Sequence, residues 1–242
     1  MKTGGGDMDK ELSDREFLFV VTYGRSGSTL VMGVLDSIDG FSVCGENNRA
    51  CEYLYDFYMK YYGAIHNYNN NNMPRDSRNS WYQVCDFSRL KQNCRDFLWN
   101  MLSSSVDDRV VGFKEIRWAH EKFGTVYIHS GFKDYIAWLN IVFSPCKFLF
   151  VTRNLDDTCK SAWHVSNKDC KKNLQVFEKQ VFDFIDRNPH IDFEHVHFDN
   201  LYSVSPADFK PMFVWLDEEY DEEKIQAVLD KKHSYAGKVK KS

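Results

Sequence analysis

The sequence lacks both the long apolar run that would indicate a membrane protein and the charge excess that would indicate a nucleic-acid binder. No apolar stretch in its 242 residues approaches the roughly 20 that a helix needs to cross a bilayer. The 31 Lys and Arg residues are outnumbered by 35 Asp and Glu, for a formal net charge of -4. This balance argues against a nucleic-acid-binding surface that extends over the whole protein, but it allows a local basic pocket for an anionic ligand.

Two further absences concern targeting and cysteine pairing. The early apolar run at residues 17–21 is too short for a signal peptide, so we expect a cytoplasmic protein or a chain trimmed of a targeting segment. The seven cysteines are an odd number and form no CxxC pair, which argues against a disulfide framework or a zinc site. We expect reduced thiols that pack as small apolar groups.

Short apolar runs alternate with segments of helical periodicity. Strands are predicted at residues 17–23, 41–44, 109–114, 147–152 and 192–198, and helices at residues 30–38, 49–63, 94–102, 174–185 and 222–232. This alternation predicts an α/β fold, a three-layer sandwich in which helices cover both faces of a central parallel sheet. We expect one domain over residues 16–242 after a flexible leader at residues 1–15, with a mobile surface loop at residues 66–80.

The most informative segment is a glycine-rich turn between the first predicted strand and the first predicted helix. Glycines let a backbone curl tightly and turn its N–H groups toward an anion, and the helix adds the positive end of its dipole. Arginine adds a fixed charge and the hydroxyls add donors. The pattern therefore predicts a phosphate or sulfate cradle in a P-loop-like nucleotide-binding core, in preference to an ordinary capped turn. Its residues are Gly24, Arg25, Ser26, Gly27, Ser28 and Thr29.

The turn differs from the loop of nucleoside triphosphatases, which needs a lysine directly before its last hydroxyl residue. Gly27 stands at that position, and no predicted strand offers an evident aspartate for a metal ion. A nucleotide kinase is therefore the weaker enzymatic alternative. A catalytically silent nucleotide-binding module is the non-enzymatic one.

GRSGST after the first strand resembles the 5′-phosphosulfate loop of sulfotransferases that use 3′-phosphoadenosine 5′-phosphosulfate (PAPS). The segment KFLFVTRNLDDTCKS, residues 147–161, resembles the 3′-phosphate-binding segment of that family. Arg153 would lie at the carboxyl end of the strand, and Ser161 would lie two turns into a helix beginning near Leu155. Both would bind the 3′-phosphate. Weaker similarities follow in order at residues 112–118, 197–201 and 232–235.

The resemblance spans roughly residues 16–240 and implies transfer of a sulfuryl group from PAPS to an acceptor hydroxyl or amine. Adenosine 3′,5′-bisphosphate (PAP) would be released, and no metal ion would be required. The acceptor would be a small molecule, a glycan or a peptide tyrosine. Lys238, in the basic carboxyl-terminal tail, is a further candidate contact of the 3′-phosphate, with a solvated tail as the favoured alternative.

The resemblance also suggests catalytic residues. Glu46 is the preferred general base, because Cys-Gly-Glu followed shortly by Arg49 is similar to a stretch of tyrosylprotein sulfotransferases. Lys114 would donate to the sulfuryl group or the bridging oxygen, with an ordinary exposed lysine as an equal alternative, and Arg25 would compensate charge. Glu115 is the rival carboxylate, or else an ion-pair partner of Arg117.

Histidines and tyrosines leave alternatives open. His195 and His197 share one face of a strand without an evident third metal ligand. One of the scattered histidines would serve as an acceptor-site base, although a core or surface role is favoured for each. These are His120, His129 and His164. The tyrosine-rich second helix suits an acceptor cleft or, as we favour, a core-facing helix, with Tyr53, Tyr55, Tyr58, Tyr61 and Tyr62.

Overall fold

The computed structural model describes residues 15–70, 87–122, 125–128, 131–198 and 204–231. Residues 1–14 of the expected leader, residues 71–80 of the expected loop, His129 and Lys238 lie outside the described residues. Among the helices in these ranges, none is both long and apolar enough to span a bilayer.

Strands and helices alternate along the chain. The strands are β1 Glu16–Thr22, β2 Phe41–Cys44, β3 Val110–Glu115, β4 Ala119–Lys122, β5 Thr125–Ile128, β6 Cys146–Arg153 and β7 Phe193–Phe198. The α-helices are α1 Ser28–Leu35, α2 Ala50–Asn70, α3 Phe87–Leu102, α4 Phe132–Phe143, α5 Leu155–Cys159, α6 Cys170–Arg187, α7 Lys210–Leu216 and α8 Glu222–Leu229. Short 3₁₀ helices span Ala162–Ser166 and Pro206–Phe209.

Five strands form one parallel sheet in the order β2-β3-β1-β6-β7. The predicted parallel α/β architecture is thus confirmed. The separate β4–β5 hairpin is antiparallel and was not predicted. β1 lies at the centre of the sheet, and its residues 17–21 pair with β3 on one edge and with β6 on the other.

Side chains of β1 alternate between the two faces of the sheet. Phe17, Phe19 and Val21 pack into an apolar cluster with α2, α3, α4 and α6, whereas Leu18 and Val20 pack with α1, α7 and α8. All five are at most 1% exposed, and burying a side chain of this kind contributes about 1.5–3 kcal/mol. The three predicted layers follow from this double burial.

Helix α2 differs from its predicted extent. It continues to Asn70, so residues 66–70 are helical, where a loop was predicted. Tyr58, Tyr61 and Ile65 recur at helical spacing and are buried in the core, which carries the helix past the predicted end. Tyr53 is 72% exposed, so only part of the tyrosine set faces the core as favoured.

The cysteines show a second difference. Cys159 and Cys170 form a disulfide, so the expectation of reduced thiols is wrong for this pair. The end of α5 and the start of α6 bring their Cα atoms within 5.8 Å, a proximity that a sequence separation of 11 does not reveal. Cys51, Cys94 and Cys146 are buried as expected. Burial raises the pKa of Cys51 and of Cys146 to about 12, so these thiols stay protonated and unreactive.

Replacing Cys159 and Cys170 together by serine should lower the free energy of unfolding by about 2–4 kcal/mol, because the disulfide restricts the unfolded chain. Urea denaturation measures this loss, and reducing agent should bring the wild-type protein to the same midpoint. Cys44→Ser, at a free cysteine, serves as the control and should change stability by less than about 0.5 kcal/mol. A double variant as stable as wild type would contradict the expectation.

Candidate functional site

The residues predicted to act in catalysis and nucleotide binding lie at or just after the carboxyl ends of four neighbouring parallel strands. The glycine-rich turn follows β1, Glu46 follows β2, Lys114 lies at the end of β3 and Arg153 ends β6. The chain passes from β1 to β2 and β3 on one side, then crosses to β6 on the other side of β1. Ligands of open α/β sheets bind at such a reversal of strand order, outside the carboxyl ends of the strands.

The turn after β1, residues 24–29, is shaped by two left-handed residues. Gly27 caps α1 at a φ of 91°, and Arg25 has a φ of 69°. Glycine adopts this conformation without steric cost, which explains why glycine precedes the helix. The first N–H groups of α1 have no partner within the helix and, together with the helix dipole, favour an anion at this end.

Ser26 closes the turn onto the sheet. Its buried hydroxyl lies 2.6 Å from Thr22 Oγ1, which donates to the Val151 carbonyl oxygen at 2.8 Å. Because Thr22 uses its proton on that carbonyl, Ser26 donates to Thr22. Ser26 Oγ in turn accepts from the Ser28 N–H at 3.4 Å. The Ser26 hydroxyl is therefore engaged within the protein, which leaves backbone N–H groups as the main donors of the turn.

The turn contacts the segment after β6. Arg25 Nε donates to Ser161 Oγ at 3.1 Å, across 136 residues of sequence. Arg153 Nε is buried without a hydrogen-bond partner in the described part of the chain. A buried N–H left unpaired costs about 1–3 kcal/mol, a cost that an anionic ligand would relieve. Two segments predicted to bind separate anionic groups are thus in direct contact.

Ser161 does not lie where the sequence places it. Helix α5 is only five residues long and ends at Cys159, and Ser161 caps the following 3₁₀ helix. The Ser161 N–H donates to the Thr158 carbonyl oxygen at 3.0 Å, which turns the chain out of the α-helix. The predicted position two turns into a helix is therefore wrong, although Ser161 still faces the turn after β1.

Tyr23, directly before the turn, was not singled out from the sequence. Its hydroxyl lies 2.7 Å from Glu178 Oε1 and accepts from the Arg153 N–H at 3.0 Å. Burial, reinforced by the Glu178 carboxylate, raises the pKa of Tyr23, and burial raises the pKa of Glu178. Tyr23 therefore remains protonated and links the ends of β1 and β6 to α6.

His164 has a comparable position. Its side chain is buried, and Nε2 lies 3.1 Å from the Gly24 carbonyl oxygen. The favoured core role is thus the observed one, and the contact reaches the first residue of the turn.

A second group of charges lies after β2 and β3. Lys114 Nζ donates to Glu46 Oε1 at 2.7 Å, with side chains 7% and 33% exposed respectively. The alternative of an ordinary exposed lysine is therefore wrong. Because an ammonium has three donors, Lys114 can serve Glu46 and a further acceptor together.

Glu115 is engaged by the backbone. Its carboxylate accepts from the N–H groups of Arg49, Ile116 and Arg117 at 3.3, 2.9 and 3.0 Å. The Arg117 guanidinium donates instead to Asn48 Oδ1 at 2.6 Å, so the expected ion pair between Glu115 and Arg117 is replaced by a backbone contact. Glu115 thereby fixes the start of α2 against the end of β3.

His195 and His197 share a face of β7, as expected, and both contact Thr152. The Thr152 hydroxyl lies 2.8 Å from His195 Nε2 and 2.7 Å from His197 Nδ1. Burial, followed by the influence of His197, lowers the pKa of His195. In the part of the chain that the structure describes, no group of three or more His, Cys, Asp or Glu side chains is arranged to hold a metal ion.

Comparison with known proteins gives matches among solved structures alone. No protein-family model matches the chain, and no curated protein matches it. A sulfotransferase, STF9 from Mycobacterium avium, superposes with a TM-score of 0.47 at 12% identity, covering 92% of this chain and 69% of that one. A thymidylate kinase from Candida albicans superposes with a TM-score of 0.39 at 12% identity, covering 84% and 92%. Similarity at this level gives no information about activity, which has to be inferred from the residues of the site.

The Lys114–Glu46 pair should show measurable energetic coupling. In a double-mutant cycle with Lys114→Met and Glu46→Gln, we expect a coupling of about 1–3 kcal/mol in urea unfolding, because one partner is buried. The exposed Lys171–Asp156 pair is the matched control, and we expect no measurable coupling there because solvent screens the charges. Equal coupling in the two cycles would contradict the structural role of the buried lysine.

Proposed function

We propose that the protein is a sulfotransferase that moves a sulfuryl group from PAPS to an acceptor hydroxyl or amine and releases PAP. The observation that carries this proposal is the contact between Arg25 and Ser161. A nucleotide with anionic groups at both its 5′ and 3′ positions needs two anion-binding segments at one crevice. The turn after β1 and the segment after β6 supply such a pair.

Each segment has a role in nucleotide binding. The backbone N–H groups of residues 24–29, with Arg25, would hold the 5′-phosphosulfate at the start of α1. Arg153 and Ser161 would hold the 3′-phosphate. The buried Nε of Arg153, which has no hydrogen-bond partner among the described residues, supports this assignment. Lys238 would add a charge to the same phosphate.

Glu46 and Lys114 would carry the transfer step. The Glu46 carboxylate would accept the proton of the acceptor hydroxyl as the acceptor oxygen forms its bond to sulfur. The bond between sulfur and the bridging oxygen breaks, and its electron pair goes to the departing 5′-phosphate of PAP. Lys114 would stabilise charge on the sulfuryl or bridging oxygen, and Arg25 on the leaving phosphate. Glu115 is the weaker candidate base, because its carboxylate already accepts three backbone N–H groups.

A nucleotide kinase is the second candidate, because a glycine-rich turn after the central strand also suits a nucleoside triphosphate. Gly27 in place of the lysine of such loops disfavours it. A nucleotide-binding module without transfer activity is the third candidate, and the pair of Glu46 with Lys114 beside the turn is the feature that disfavours it.

The disulfide bears on the compartment and on the acceptor. The expectation of a cytoplasmic setting came from the short early apolar run, and the Cys159–Cys170 disulfide is not typical of that compartment. Disulfides persist mainly in oxidising compartments, and we propose such a setting instead. Among the expected acceptors, this favours a glycan or a peptide tyrosine over a cytosolic small molecule.

Two substitutions separate nucleotide binding from transfer. Arg153→Ala should weaken PAP binding by about 1.5–3 kcal/mol, the typical value of a charged hydrogen bond.

Glu46→Gln should leave PAP affinity unchanged and slow transfer of labelled sulfate from PAPS by roughly 10²–10⁴-fold. Calorimetry and a transfer assay with glycan and tyrosine-peptide acceptors measure the two effects.

Lys171→Ala is the control for these substitutions, since it removes an exposed cation that pairs with Asp156. It should change neither affinity nor rate. Undiminished transfer in Glu46→Gln would exclude Glu46 as the base. Undiminished PAP binding in Arg153→Ala would contradict the assigned 3′-phosphate site.

A further inference from the structure

The contact between His164 and Gly24 fixes the proton of the imidazole ring. His164 is 4% exposed, and its Nε2 lies 3.1 Å from the Gly24 carbonyl oxygen. A carbonyl oxygen only accepts hydrogen bonds, so Nε2 carries a proton and donates it. The ring nitrogen nearest the turn is thus a donor already in use, which makes His164 unsuited to act there as the acceptor-site base.

This hydrogen bond sets the orientation of one peptide unit. The Gly24 carbonyl and the Arg25 N–H belong to the same planar trans peptide and point in opposite directions. When His164 holds the carbonyl, the Arg25 N–H is directed to the opposite side. Arg25 has a φ of 69°, a left-handed conformation that is sterically unfavourable for a non-glycine residue. A fixed neighbouring carbonyl helps to hold this conformation.

The same short segment contacts the turn twice. Ser161 accepts from Arg25 Nε, and His164, three residues later, donates to Gly24. Both residues lie between Cys159 and Cys170, which are joined by a disulfide. Residues 161–164 therefore join the predicted 3′-phosphate segment to the predicted 5′ turn through two side chains on a covalently restrained loop.

We propose that His164 is a positioning residue, which presets the Gly24–Arg25 peptide so that the Arg25 N–H meets the 5′-phosphoryl group of a bound nucleotide. This assignment rests on the proposed function for the identity of the ligand. It extends that function, because His164 acts through the backbone of the turn without contacting the nucleotide. The effect is specific to the 5′ group and leaves recognition of the 3′-phosphate unchanged.

Two probes separate this role from general damage to the fold. PAP carries 5′- and 3′-phosphates, whereas adenosine 3′-monophosphate lacks the 5′ group. His164→Leu removes the donor, and we expect calorimetry to show roughly three- to tenfold weaker binding of PAP, with binding of the monophosphate unchanged. His164→Gln places an amide N–H near the position of Nε2 and should restore most of the PAP affinity. His190→Leu, at an exposed histidine, is the matched control and should change neither affinity.

The outcomes distinguish this inference from the proposed function. Equal losses for both probes in His164→Leu, or no loss for PAP, would overturn the positioning role alone. Wild-type protein that binds neither probe would overturn the proposed function. If the leucine variant does not fold, His164→Gln and His164→Asn decide the question. The shorter asparagine amide should lower the ratio of PAP affinity to monophosphate affinity, and an equal ratio in both variants would overturn the inference.

Discussion

β1 is hydrogen-bonded on both edges, to β3 on one side and β6 on the other, and separate apolar clusters cover its two faces. A strand in this position has no freedom to shift, because a slip of one residue would exchange the side chains of its two faces. The position of its carboxyl end is consequently fixed by the sheet. The turn at residues 24–29 begins there, and it contacts Ser161 and His164 in the segment after β6.

The site is organised by hydrogen bonds between residues that are distant in sequence. Tyr23 links the end of β1 to Arg153 and Glu178, Arg25 contacts Ser161, and His164 holds the carbonyl of the turn. Such prior organisation lowers the entropic cost of ordering a binding loop when the ligand arrives. The two proposed anion-binding segments would therefore act as one unit, with the Lys114–Glu46 pair beside them at the ends of β2 and β3.

The fold was predictable because its signals are local. Residues 17–21 are apolar throughout, as expected of a strand buried on both faces, and the glycines around Arg25 mark the turn that follows. The placement of Ser161, the Cys159–Cys170 bond and the Glu115 contacts were not predictable from the sequence. Each depends on how the end of one helix or strand meets a segment of another, and neither periodicity nor spacing encodes that geometry. The contact of His164 with Gly24 spans 140 residues and leaves no local pattern.

Binding of PAP compared with ADP distinguishes the proposed sulfotransferase site from a kinase site, because the two molecules have the same atoms and differ only in the position of one phosphate. Calorimetric titrations with each nucleotide, with and without Mg²⁺, isolate recognition of the 3′-phosphate. We expect PAP to bind at least tenfold more tightly than ADP, a difference of about 1.4 kcal/mol, and Mg²⁺ to leave this order unchanged. ADP that binds as tightly as PAP, or more tightly with Mg²⁺, would contradict this expectation.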